Sequence, residues 1–123
     1  MKTLIFICGI YSIFWAAFHS SFWRIFKWNH DLKKLTIINE GIMQIFNIQT
    51  IYYLLFVAFA CFFYSNELLT TKFGNVFLIS CSLFWVIRAI QQFVFLRVTS
   101  LFSIILTILF ICGAIMFAVP VIL

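Results

Sequence analysis

The stretch GIMQIFNIQTIYYLLFVAFACFFY, residues 41–64, decides the fold: 24 consecutive positions without a charge. The hydrocarbon core of a bilayer is about 30 Å thick and takes about 20 apolar residues in a helix. In lipid the backbone has to satisfy its own hydrogen bonds, so a run of this length is predicted to be a membrane-crossing helix. Three further runs have the same character. Residues 4–23 hold His19 as their only ionisable side chain, residues 74–96 are interrupted only by Arg88, and residues 101–123 carry no charge. Barrel strands would show polar/apolar alternation over about ten residues, and none of the four runs alternates in that way. Lys2 gives the first run a minimal signal-peptide flank, but the run is long. Ala16-Ala17-Phe18-His19-Ser20 also lacks a clean small-x-small cleavage site. It is expected to be a permanent span.

Composition points the same way. Hydrophobic residues make up 66% of the 123 positions and charged residues 9%, against roughly 25% charged in a water-soluble domain. No stretch is polar enough for a second domain. The expected fold is therefore all-α: a four-helix transmembrane bundle, antiparallel up-down-up-down, with residues 1–123 as a single integral membrane domain and no soluble domain. The formal charge of +5 would suggest nucleic acid in a soluble protein. Here the cations sit between apolar runs, where they determine topology and face anionic lipid headgroups, so no nucleic-acid partner is expected. Cys8, Cys61, Cys81 and Cys112 fall one to a run. There is no C-x-x-C and no Cys/His cluster, so neither a redox motif nor a metal site is predicted, and the cysteines are expected to act as small hydrophobes.

The connections set the orientation. Residues 24–39 mix Arg24, Lys27, Lys33 and Lys34 with Phe26, Trp28 and Leu32, a composition suited to the headgroup zone. Residues 65–73 are short and nearly neutral, and residues 97–100 form a tight turn. Arg24, Lys27, Lys33, Lys34 and Arg97 lie on one side, against Lys2 and Lys72 on the other. That bias predicts loops 24–39 and 97–100 in the cytoplasm and both termini outside.

The polar residues within the spans gather at one end. Measured from the end nearest the first and third connections, His19 is about one turn into helix one. Glu40 is at the interface of helix two, with Gln44 about one turn in and Asn47 about two. On helix three Gln92 is about one turn in and Arg88 about two. Helix four begins with Thr99, Ser103 and Thr107. Residues three and four apart share a helix face, so Thr36, Glu40, Gln44 and Asn47 make one stripe and Arg88 with Gln92 another. His19 shares its face with Ser12 and Trp23. A lipid-facing Arg at this depth costs several kcal/mol, so Arg88 is expected to lean toward Glu40, Gln44 or Asn47. Together His19, Glu40, Gln44, Asn47, Arg88 and Gln92 are the candidate binding residues of a polar pocket open toward the cytoplasmic leaflet. Each also has a plainer use. The amides can tie helices together, Glu40 can serve a helix start, His19 can simply pack, His30 is interfacial, and the four Trp residues suit the membrane belt.

The pattern Phe18-His19 … Phe22-Trp23, Asn39-x-Gly41 … Asn47, Arg88 … Gln92 resembles small uncharacterised four-span bacterial membrane proteins, a resemblance that implies the four-span fold and no activity. Small multidrug exporters are similar in size but need a carboxylate deep in helix one, which is missing. Fluoride channels need Gly-rich spans, whereas the glycines here are Gly9, Gly41, Gly74 and Gly113. Membrane glutathione-transferase-type enzymes share only the architecture, since their basic helix-two signature is absent.

The expected function is a small membrane protein whose pocket binds an amphipathic, lipid- or quinone-like ligand. Arg88 would grip an anionic or carbonyl headgroup and Phe-rich walls would take the tail. The alternatives are a structural or accessory subunit, or an enzyme on a lipid-like substrate using His19, Glu40 and Arg88. Binding or accessory roles are favoured over catalysis because no nucleophile–base pair is evident. No cofactor is expected, since a bis-His haem site would need His19 from two protomers. The expected partners are membrane lipids, such a ligand, and a second copy or another membrane protein.

Overall fold

A computed structural model describes residues 1–96 and 100–123. The described residues are 92% helical and contain no strand. Helix α1 (Lys2–Ser20) is followed by two single-turn helices, α2 (Phe22–Ile25) and α3 (Trp28–Asp31), and by a 3₁₀ turn at Leu32–Lys34. The second long helix, α4, spans Ile37–Phe63. A short α5 (Ser65–Thr70) leads into α6 (Lys72–Gln91), which ends in a π turn at Gln92–Leu96, and α7 covers Leu101–Ile122. Four of these, counting α6 with its π turn, are long and apolar enough to cross a membrane. The expected turn at 97–100 and the polar residue Thr99 fall largely or wholly outside the described residues.

The long helices begin where their caps dictate. The Asn39 amide donates to Thr36 Oγ1 at 3.3 Å, so α4 starts four residues before the uncharged run. Its 27 residues reach about 40 Å, more than the hydrocarbon core, which places Glu40 in a first turn that can stand at the headgroups. Thr71 caps α6 by accepting from the Gly74 amide at 2.9 Å while its own hydroxyl donates to Glu67 O at 2.7 Å. Ser100 caps α7 by accepting from the Ser103 amide at 3.2 Å. Pro120 sits in the last turn of α7, where no later helical bond depends on its missing amide.

The chain divides into two compact units, Met1–Cys8 with Cys61–Leu123, and Gly9–Ala60. In the first, α6 packs along α7. Ser82 Oγ donates to Ala114 O at 2.7 Å and Trp85 stacks on Phe110 at 5.7 Å, so partners on α7 step backward as those on α6 advance. Leu78, Cys81, Trp85, Phe110 and Phe117 are buried. At the start of α1, Cys8 Sγ donates to Met116 O at 3.5 Å and Phe6 stacks on Phe62.

In the second unit Ser12, Trp15, Ala16, Asn47, Leu54, Val57 and Ala58 are buried. The rest of α4 keeps a broad apolar coat exposed, including Ile45, Phe46, Ile48, Tyr52 and Leu55. Soluble monomers rarely expose such continuous apolar surface, whereas a spanning helix presents it to lipid.

Candidate functional site

Two of the expected residues meet directly within the Gly9–Ala60 unit. Asn47 Nδ2 donates to the His19 carbonyl at 2.9 Å, which turns Asn47 Oδ1 toward the His19 ring, 2.8 Å from Nδ1. An amide oxygen can only accept, so Nδ1 carries the proton in neutral His19 and the basic lone pair resides on Nε2. Phe22 lies 4.4 Å from the ring centre and holds it in place. Asn47 is buried and His19 half-buried. Hydrogen bonds of this kind between membrane helices contribute about 0.6 kcal/mol on average.

Gln44 has a different partner. It accepts from Trp23 Nε1 at 2.9 Å, while its own Nε2 donates to Glu40 O at 3.3 Å. Trp23, which the sequence placed among belt residues, is thereby fixed at the first turn after α1. Glu40 is half-buried in the first turn of α4.

Beyond α1 the chain folds back on itself through a left-handed residue, Lys27, with φ of 53°. For a side-chain-bearing residue that conformation costs about 1–2 kcal/mol. Aromatic packing holds the reversal in place: Phe22 meets Phe26 at 4.9 Å and Trp28 at 5.5 Å, and Trp23 meets Trp28 at 5.3 Å. The result is a pocket of about 440 Å³ lined by Ser20, Ser21, Trp23, Arg24 and Asn29. Sequence reasoning missed it, because Trp23 and Arg24 read as belt and headgroup residues and nothing joins them to Ser20, Ser21 and Asn29 until Lys27 reverses the chain. Just beyond it, Asp31 is engaged by His30 Nδ1 at 3.1 Å and Lys34 Nζ at 3.9 Å. The hydrogen bond from His30 and the Lys34 charge hold its carboxyl below the usual aspartate value.

Arg88 and Gln92 belong to the other unit, on α6 and at the start of its π turn. The Arg88 guanidinium lies over the face of Phe110, 4.6 Å from the ring centre. Gln92 is 1% exposed, and its Oε1 has no hydrogen-bond partner among the described residues. Leaving such a group unsatisfied costs about 1–3 kcal/mol. Thr107, on the polar face expected for the fourth span, is buried and donates to Ser103 O at 2.9 Å within its own helix. The structure thus joins His19 to Asn47 and Gln44 to Trp23, and places Arg88 against Phe110.

Comparison with family models, curated proteins and solved structures finds no match.

Proposed function

We propose that this chain is an integral membrane protein with four spans in up-down-up-down order, resident in a bacterial cytoplasmic membrane. Its residues 1–123 form one membrane domain with no soluble part, both termini lie outside and loops 24–39 and 97–100 are cytoplasmic. Its function is to hold an amphipathic, lipid- or quinone-like ligand at the cytoplasmic-leaflet end, with Arg88 and Gln92 as the binding residues of their unit. Support for the topology comes from the five cations of those loops against Lys2 and Lys72 opposite. A periplasm-selective reporter fused after Leu123 is expected to be active, and activity of a cytoplasm-selective reporter there instead would reverse the orientation.

The observation that carries the ligand reading is the buried carbonyl oxygen of Gln92, one turn beyond Arg88 and without a hydrogen-bond partner among the described residues. Buried polar groups in folded proteins are nearly always satisfied, and a ligand hydroxyl or amide would satisfy this one while Arg88 takes a negative or carbonyl group. The test is native mass spectrometry of protein released from native nanodiscs. Wild type is expected to retain a lipid- or quinone-like molecule that Gln92→Leu loses while keeping wild-type thermal stability. Retention by the variant, or wild type with nothing bound, would defeat it. An accessory role with no ligand is the second reading. The two hydrogen-bonded pairs of the Gly9–Ala60 unit favour it, since there the polar residues already satisfy one another.

A further inference from the structure

We infer that the pocket at residues 20–29 is a specific site for a phosphoglycerol lipid headgroup, separate from the ligand proposed above and contained wholly in one unit. Its floor is polar and its one charge is positive. Arg24 is exposed, and among the described residues no carboxylate lies within 4.0 Å of it. The one acid of that connection, Asp31, is engaged by His30 and Lys34 instead. The guanidinium is therefore open to an anion, and its planar fork matches two oxygens of a phosphodiester.

The hydroxyls narrow the choice further. Ser20 Oγ donates to Ala16 O at 2.8 Å and Ser21 Oγ to Ala17 O at 3.0 Å, so each spends its proton on the preceding helical turn. What they turn to the pocket is lone pairs. A ligand that suits this wall carries hydrogen-bond donors beside its phosphate. Terminal glycerol hydroxyls supply them, and choline does not. Asn29 adds an amide that both donates and accepts. The Trp23 indole nitrogen is committed to Gln44, so this lining side chain has only its apolar ring to give the glycerol carbons.

Position and size agree. The pocket opens where α1 ends, among the aromatics and cations of the headgroup zone. Its volume of about 440 Å³ lies within the range of about 300–1,000 Å³ usual for small-ligand sites. The aromatic contacts of Phe22, Phe26 and Trp28 hold its walls before any ligand arrives.

The full chain in nanodiscs of mixed phosphatidylglycerol and phosphatidylcholine, released into a native mass spectrometer, tests the site. Wild type is expected to retain phosphatidylglycerol in preference to phosphatidylcholine. Arg24→Gln should weaken that retention about tenfold, the scale of one lost charge-assisted contact, and Asn29→Ala should weaken it in the same direction. Lys33→Gln, which removes the same charge outside the pocket, should leave it unchanged, as should Gln92→Leu. Equal losses in Arg24→Gln and Lys33→Gln would show general attraction to an anionic surface and overturn the site. Equal retention of the two lipids would overturn it too. Displacement of the lipid by soluble glycerol phosphate would show that the phosphoglycerol chemistry is right but the ligand is the free ester, which overturns the lipid assignment. Persistence of the Gln92-dependent ligand in Arg24→Gln separates failure here from failure of the function proposed above.

Discussion

Gly74→Val is expected to cost this protein several kcal/mol of stability, and Gly74→Ala about 1–3 kcal/mol, whereas Gly41→Ala costs nothing. Both glycines lie near the start of a long helix and the sequence gives no means of telling them apart. A methyl group built on Gly74 would fall on the Leu68 carbonyl oxygen and Cα and the Glu67 carbonyl oxygen of α5. Those are backbone atoms of a turn that Thr71 has already locked to both helices. They cannot move aside as a flexible side chain would. On Gly41 the same methyl group meets nothing within 4 Å, so Ala there gains helix propensity of about 0.5–1 kcal/mol. Thermal unfolding of the three variants in one detergent, side by side with wild type, checks the ordering. Equal behaviour of Gly74→Ala and Gly41→Ala would mean that α5 does not press against α6.

What the sequence made legible follows from what lipid demands. The four candidate spans show as long apolar runs, broken by a charge only at Arg88, and all four agree with helices of the structure. Their ends were harder. Helix α4 extends upstream to Ile37 because Thr36 caps it, and capping chemistry is local and weak beside hydropathy. The short helices α2 and α3 have four residues each, too few for any periodicity to register. The left-handed residue in that loop is Lys27, where Asn29 two positions on would have been the natural choice.

The candidate site divides along the same line. Depth along a helix can be counted from sequence, and Gln44 and Asn47 lie in the half of α4 nearer the first connection. Pairing depends on which faces meet, and that needs coordinates. His19 with Asn47 and Trp23 with Gln44 are adjacent in space although 28 and 21 positions apart. The headgroup pocket depends on a chain reversal that no spacing rule predicts.

The partner of Arg88 gives the second large effect. Phe110→Ala is expected to destabilise by about 3–5 kcal/mol, as for other buried Phe truncations. The ring is 3% exposed, stacks on Trp85 at 5.7 Å and carries the guanidinium 4.6 Å from its centre. Two separate contributions are therefore lost: packed volume, and the electron-rich face that offsets part of what a half-buried cation gives up in water. Phe110→Leu isolates the second, because it keeps most of the volume and removes the face. Combined with Arg88→Met it forms a cycle. The Leu substitution should cost about 1 kcal/mol less when Arg88 is already Met, the scale of a partly desolvated cation–π contact. The bond from Ser82 to Ala114, one turn from Trp85, ties α6 to α7 in all four proteins, so the backbone frame is common to the comparison. Unfolding measured in bicelles for wild type, both single variants and the double gives the coupling directly. Additive costs would mean that the cation draws no stabilisation from the ring, and that Arg88 rests near Phe110 for reasons of packing alone.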